Sequence, residues 1–275
     1  MRFLRSHHIT KLVSLVDGIL PPVPTNPLGG RPVILRQNEV IALLVFSCLV
    51  SPQPTLKSIW RWAQTFYYRR FKLCSYPSWV RKCHQALPAM LQLLQHLLSS
   101  SAALRFLDST MLHVCKLVRA DRHRVARGIA AFGRNWQGWH FGFKLHLAVD
   151  HRGSICALRF TPANEHDAQQ IPYLVNDATV IAVGDGTYNV SVMRRKMWHK
   201  HRAYILAPPH PKQRTKLATD WQLFLLRRRV KVECTFDFLK QHLLLETSFP
   251  RSVNGYAVHY IRILLGYQVG WGFEI

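Results

Sequence analysis

The spacing of apolar residues changes near residue 100 of the chain. Before that point apolar residues recur at three- and four-residue intervals, which predicts helices with one buried face. The clearest of these helical segments are residues 39–46, 58–71 and 79–94. The small residues Ser99–Ala103 form a joint, and beyond them the apolar runs become short and strand-like. We therefore expect a helical region over residues 1–100 and a second domain over residues 101–275.

The second domain reads as strands followed by alternating helices and strands. The predicted strands are residues 104–108, 139–149, 154–160, 179–183 and 203–207. The predicted helices are residues 167–175, 192–201 and 223–245. A turn at Asp150–Gly153 joins the second and third strands into a hairpin. This order predicts an α/β fold, a mixed sheet with flanking helices, preceded by an all-helical N-terminal region.

The net charge of the chain indicates what kind of partner it binds. The 275 residues contain 37 Lys and Arg against 14 Asp and Glu, a formal net charge of +23. Such an excess needs a polyanion, and nucleic acid is the partner that it favours. Residues 1–107 contain only two acids, Asp17 and Glu39, so any carboxylate chemistry belongs to the second domain.

Other classes of protein are disfavoured by simple features of the chain. The longest apolar run, Ile41–Val50, is too short to cross a bilayer. The first residues lack the apolar stretch of a signal peptide, and the six cysteines show no Cys-x-x-Cys spacing. We expect a cytoplasmic protein with reduced thiols and no membrane partner.

Two aspartates each follow an apolar strand-like run. Asp108 ends the first strand and Asp185 lies in Gly184-Asp-Gly186 after the fourth. Strand ends gather ligands in α/β sheets, although a helix cap at Asp108 and a tight turn at Asp185 explain each residue taken singly. A carboxylate that faces a phosphate backbone needs a divalent cation between the two anions. Acids on a DNA-binding face therefore indicate a metal site.

A third acid is available on the last predicted helix. Glu233 shares a helix face with Arg229, four residues before it, and Lys240, seven after it. Asp237 lies on the same face and would serve equally well by spacing alone. An exposed, salt-bridged helix explains the same pattern without any function.

Several of these segments together resemble a known family. They are Leu107-Asp-Ser109, Phe141–Asp150, Thr161-Pro-Ala-Asn-Glu-His-Asp167, Gly184-Asp-Gly-Thr-Tyr188, and Arg229 with Glu233 and Lys240. They resemble bacterial insertion-sequence transposases of the DDE type, and they are most similar to the 982 family of insertion sequences. The resemblance covers roughly Leu104 to Leu265. It implies a ribonuclease H-like domain and selects Glu233 over Asp237.

The resemblance also implies a reaction and a cofactor. Asp108, Asp185 and Glu233 would be both the catalytic acids and the ligands of two Mg²⁺ ions, for which Mn²⁺ is expected to substitute. The reaction would be DNA strand cleavage at transposon ends followed by strand transfer to target DNA. Arg229 and Lys240 would bind phosphates beside Glu233. The partners would be double-stranded terminal repeats, target DNA and further copies of the chain, in the bacterial nucleoid.

Two basic segments are further candidates for DNA contact. The aromatic and basic stretch of the N-terminal region suits recognition of transposon ends through Arg61, Arg69, Arg70 and Lys72, while most of its rings pack the helical core. A loop between the first two strands carries Arg122 and Arg124 and suits the DNA backbone. A merely solvated loop is nearly as good an explanation.

Two other functions compete with this one. His199-Lys-His-Arg202 has the His-x-x-Arg form of tyrosine recombinases, with Tyr256 or Tyr260 downstream as nucleophile. That chemistry leaves the three acids unexplained. A catalytically dead transposase remnant that only binds DNA is the second rival.

Overall fold

The computed structural model describes residues 8–21, 33–135, 138–209, 218–246 and 250–272. The chain forms two compact units. We call Leu98–Phe238 the sheet unit, and Met1–Leu97 together with Leu239–Ile275 the helical unit. The sequence-based division assigned everything after residue 100 to one domain, whereas the compact units group the last 37 residues with the N-terminal helices.

The helical unit is built around one long C-terminal helix. Its described helices are α1 (His8–Ile19), α2 (Gln37–Val50), α3 (Leu56–Phe66), α4 (Tyr76–Gln85), α5 (Leu87–Leu97) and α10 (Val253–Gly272). Helix α10 packs against α2, α4 and α5, and the middle of α2 is buried on all sides. The third predicted helical segment, residues 79–94, is divided between two helices, because α4 ends and α5 begins around Ala86. The N-terminal region is therefore helical, as predicted.

The described residues of the sheet unit form six strands. They are β1 (Leu104–His113), β2 (Ala131–Asn135), β3 (Gly138–Val149), β4 (Ile155–Pro162), β5 (Ile181–Val183) and β6 (Tyr204–Leu206). Their order is β2-β3-β1-β5-β6, and β4 pairs with β3 beyond the segment that β2 occupies. Strands β1 to β4 pair antiparallel, while β1, β5 and β6 are parallel. The predicted mixed sheet and its β3–β4 hairpin are confirmed.

One edge of β1 loses its neighbour halfway along the strand. β5 pairs with β1 only from Leu104 to Phe106, where Val183 is the last partner. Among the described strands, β3 alone pairs with the rest of β1 as far as His113. A point where neighbouring strands diverge opens a crevice at the sheet edge, and α/β sheets bind ligands at such points.

Four described helices flank this sheet. They are α6 (Ile171–Leu174), α7 (Ser191–His201), α8 (Asp220–Arg228) and α9 (Val230–Asp237). The predicted single helix over 223–245 is wrong: Arg229 separates α8 from α9, and a π-helical turn follows from Phe238 to His242. Leu244 then takes a left-handed backbone with φ 61°, which ends the helical run. Helix α9 packs against β1 and β3.

Among the described residues, no helix combines the length and the apolar character that a membrane span requires.

Candidate active site

Asp108 lies within β1, two residues beyond Phe106, the last β1 residue that pairs with β5. The prediction that Asp108 ends its strand is wrong, and so is the alternative of a helix cap, because β1 runs on to His113. Beyond Phe106 the backbone has β3 as its described partner, and the Ser109 N–H donates to Asp108 Oδ1 at 2.8 Å. This bond fixes one carboxylate oxygen, and the other, Oδ2, accepts a hydrogen bond from Arg229.

Asp185 follows β5 at the same edge of the sheet. It caps a 3-10 turn, Gly186–Tyr188, and its Oδ1 accepts hydrogen bonds from Thr187 N at 2.9 Å and Thr187 Oγ1 at 2.5 Å. The tight turn expected from Gly184-Asp-Gly186 is therefore present. Both hydrogen bonds fall on one oxygen, so the carboxylate is oriented by its own turn.

Arg229 links the third acid to the first. Its Nη1 donates to Asp108 Oδ2 at 3.3 Å, and its Nη2 donates to Glu233 Oε1. The bonds arise because Arg229 stands between α8 and α9, four residues before Glu233 on the helix that packs against β1. Two acids that are 125 residues apart in the sequence thus share one guanidinium.

The electrostatics of Asp108 report on all three acids. The pKa of Asp108 is raised to about 6, chiefly by burial, while the Ser109 N–H and Arg229 oppose the rise. The negative charges of Asp185 and Glu233 are smaller contributions to the same rise. A half-buried carboxylate on which two other acids act carries a surplus of negative charge, which one guanidinium only partly offsets.

These residues fit a divalent cation by chemistry and charge. The donors are carboxylate oxygens, which Mg²⁺ prefers, and their mutual repulsion is what a cation would relieve. In the described part of the chain, no three His, Cys, Asp or Glu side chains are grouped closely enough to hold a metal ion. Arg229 instead bridges Asp108 and Glu233 in this conformation.

The two other candidates from the last predicted helix have different surroundings. Lys240 belongs to the helical unit, where its Nζ pairs with Glu246 Oε1 at 2.8 Å. Asp237 is exposed at the end of α9, and it is not among the groups that shift the pKa of Asp108. The phosphate-binding role of Lys240 stays a prediction.

The basic residues predicted to contact DNA are all on the surface. Arg61, Arg69, Arg70 and Lys72 are exposed in the helical unit, and Arg122 and Arg124 are exposed in the sheet unit. The rings of Trp62, Tyr67 and Phe71 are buried, whereas those of Phe66 and Tyr68 are 68% and 62% exposed, so the expected core packing of these rings holds only in part. The exposed cations are accessible to phosphates, and their role in DNA binding stays a prediction.

Sequence reasoning missed a second polar cluster on the opposite face of β1. Ser109 Oγ donates to Asp167 Oδ1 at 2.8 Å, and Lys144 Nζ donates to the same oxygen at 3.1 Å. The helix predicted over residues 167–175 is a 3-10 turn, Asp167–Gln170, followed by α6. Its apolar pattern gave no sign of the contacts that Asp167 makes.

The sheet unit lies within a part of the chain that matches a known protein family. The family described as "Transposase DDE domain" matches residues 98–253, more than half of the chain. The match begins before β1, ends at the start of α10 and includes Asp108, Asp185 and Glu233. The family is one of enzymes that cleave and transfer DNA during the movement of mobile elements. The chain therefore belongs to the transposase DDE domain family.

Proposed function

We propose that this transposase cleaves DNA at the ends of its mobile element and joins the freed ends to target DNA, with Asp108, Asp185 and Glu233 as the metal-holding acids. The observation that carries the proposal is the shared guanidinium of Arg229, which joins Asp108 to Glu233 while the charge of Asp185 acts on Asp108. Three acids from distant parts of the sequence affect one another at the crevice beside β1.

Mg²⁺ would be held by the carboxylates of Asp108, Asp185 and Glu233. When bound, a pair of such ions makes a water or a DNA 3′-OH nucleophilic and stabilises the leaving oxygen, and Mn²⁺ would substitute. The same site would serve cleavage and strand transfer because an in-line displacement accepts either oxygen as nucleophile.

The protein's own side chains would hold the acids and the DNA. The Ser109 N–H and the Thr187 donors fix one oxygen each of Asp108 and Asp185. Arg229 has more donors than its two carboxylate contacts use, so it would reach a DNA phosphate at the same edge. The guanidinium would thereby place the phosphate next to the acids that act on it.

The finer classification belongs to the same proposal. A three-stranded antiparallel segment continued by parallel strands β5 and β6 supports a ribonuclease H-like sheet. The motif order supports the 982 family of insertion sequences. The exposed arginines of both units support contact with terminal repeats and target DNA, and the need to pair two element ends supports a homo-oligomer.

The test is cleavage of an end-labelled duplex that carries the terminal repeat of the element. We expect cleavage by the wild type in Mg²⁺ or Mn²⁺, none in EDTA, and none by Asp108→Asn, which should still bind the duplex. Cleavage that survives EDTA would support a tyrosine recombinase, although Tyr256 and Tyr260 are only 3% and 5% exposed. Equal behaviour of the wild type and Asp108→Asn in Mg²⁺ would support a binding remnant instead.

A further inference from the structure

We propose that Asp167 is a positioning residue that fixes Asp108 and Asp185 from the opposite face of the sheet. The inference rests on the proposed function, because it assigns a role toward the same acids. Asp167 is a side chain that the catalytic scheme does not use. It lies in the segment Thr161-Pro-Ala-Asn-Glu-His-Asp167, one of the segments that carry the family resemblance.

The first step is the bridge through Ser109. Consecutive strand residues point to opposite faces, so Asp108 and Ser109 project to different sides of the sheet. Ser109 Oγ donates to Asp167 Oδ1 at 2.8 Å, while its N–H donates to Asp108 Oδ1 at 2.8 Å. One residue therefore ties the carboxylate of Asp167 to the carboxylate of Asp108. The tie lies where β1 has already lost β5 as a neighbour.

The second step is the anchoring of Asp167 itself. Lys144 Nζ donates to Asp167 Oδ1 at 3.1 Å and to the Glu165 carbonyl at 2.8 Å, so it holds the loop at two points. The ion pair is largely sheltered, with side-chain exposures of 11% and 17%. His146 on β3 pairs with Ser109 on β1, and its Nδ1 lies 3.5 Å from Asp167 Oδ1. Its side chain is fully buried, and burial lowers its pKa to about 4. Lys144 is therefore the cation that balances Asp167 at neutral pH.

The third step is the contact with the segment that carries Asp185. The 3-10 turn Asp167–Gln170 packs against the 3-10 turn Gly186–Tyr188. Tyr188 is fully buried there, and a Cβ at Gly184 would lie 2.6 Å from its ring. After burial, the charge of Asp167 is the largest contribution that raises the pKa of Tyr188, ahead of Asp108 and Asp185. Asp167 thus lies between the two segments whose acids must meet.

The consequence is a prediction for metal binding that a merely structural ion pair would not share. Partners in the second coordination sphere commonly change metal affinity or activity by about 10- to 100-fold when replaced. Asp167→Asn keeps an acceptor for Ser109 but removes the charge that holds Lys144. We expect it to weaken Mn²⁺ binding by about 10-fold or more while binding of the terminal-repeat duplex changes less than about 2-fold.

The experiment measures Mn²⁺ binding to the DNA-free protein by electron paramagnetic resonance, with unfolding by circular dichroism alongside. Ser109→Ala is the second variant, and we expect a smaller weakening in the same direction. The matched controls in the same unit are Asp177→Asn, an exposed carboxylate paired with His201, and Ser99→Ala, which removes a hydroxyl that hydrogen-bonds to Ser154. Both controls should bind Mn²⁺ like the wild type.

The outcomes separate this inference from the proposed function. If the wild type binds Mn²⁺ through Asp108, while Asp167→Asn and Ser109→Ala bind it unchanged, the positioning role is overturned and the proposed function stands. If Asp167→Asn does not fold, Ser109→Ala against Ser99→Ala decides the question. Recovery of Asp167→Asn cleavage at raised Mn²⁺ supports positioning. If the wild type binds no Mn²⁺, or Asp108→Asn binds it equally well, the proposed function fails and this inference fails with it.

Discussion

The two faces of β1 differ in how the charge of a carboxylate is neutralised. On one face Asp167 has a cation of its own, Lys144, and a hydroxyl donor from Ser109. On the other face Asp108 shares the cation Arg229 with Glu233 and lies in the field of Asp185. The first carboxylate is balanced by the fold, whereas the second leaves a surplus of negative charge. The difference indicates which face the fold stabilises, and it supports the proposal that the other face binds a cation.

The largest expected effect concerns the choice of the third acid. Glu233→Gln should lower single-turnover cleavage by at least about 10²-fold, because a metal-held carboxylate supports several kcal/mol of transition-state stabilisation. The matched control is Asp237→Asn, four residues along the same helix and exposed, which should cleave at close to the wild-type rate. Loss of cleavage in Asp237→Asn with retention in Glu233→Gln would reverse the assignment.

A second test removes the shared cation. Arg229→Met should lower cleavage by about 10²-fold, a loss of the size seen when one charge-stabilising donor is removed. Arg228→Met is the neighbouring control, since Arg228 is exposed and its guanidinium lies 4.9 Å from the centre of the Phe224 ring. Single-turnover cleavage in Mg²⁺ compares the two variants. Equal rates would show that the bridge between Asp108 and Glu233 has no role in the reaction.

A third test separates function from stability at Asp108. The pKa of Asp108 is about 6 in the fold against about 4 in an unfolded chain, so the folded protein binds more protons between these values. Stability therefore falls as pH rises through this window, and Asp108→Asn should remove the penalty. We expect the variant to be about 1–2 kcal/mol more stable to urea near neutral pH in EDTA, with little gain near pH 4.

The control for that measurement is Asp177→Asn, whose carboxylate is 91% exposed, so that its replacement should change the stability to urea little near neutral pH. A lower stability of Asp108→Asn near neutral pH would contradict the idea of surplus negative charge at the crevice.

The smallest expected effect concerns the DNA backbone. Removing one cation that neutralises a phosphate should lower the slope of log affinity against log salt by about 1, so Arg122→Ala with Arg124→Ala should lower it by at most about 2. Fluorescence anisotropy with the terminal-repeat duplex at several salt concentrations measures this slope. An unchanged slope would mean that the loop is merely solvated, as the alternative interpretation holds.

The sequence predicted those elements whose apolar pattern is local. The hairpin of β3 and β4 and helix α7 follow from alternation and spacing, and they lie within a few residues of the expected bounds. Strand β2 was missed because Gly133, Arg134 and Asn135 break the alternation, and pairing with β3 makes it a strand. The extension of β1 past Asp108 was missed for the same reason, since β3 supplies the partner for its polar residues.

The candidate site was predictable only in part. The resemblance to a family selected Glu233 over Asp237, which spacing alone could not do. The bridging role of Arg229 between two acids depends on how α9 packs against β1, and no local sequence pattern predicts that packing. The contact of Asp167 with Ser109 depends on the register that puts Ser109 opposite His146. Such long-range geometry has no local signature.

The central claim is that Asp108, Asp185 and Glu233 share bound cations. The most direct measurement is anomalous X-ray scattering from crystals grown with Mn²⁺. We predict manganese peaks within bonding distance of all three carboxylates, with the Arg229 guanidinium moved away from the space between Asp108 and Glu233. Manganese bound elsewhere, or none while Arg229 still bridges the two acids, would contradict the account.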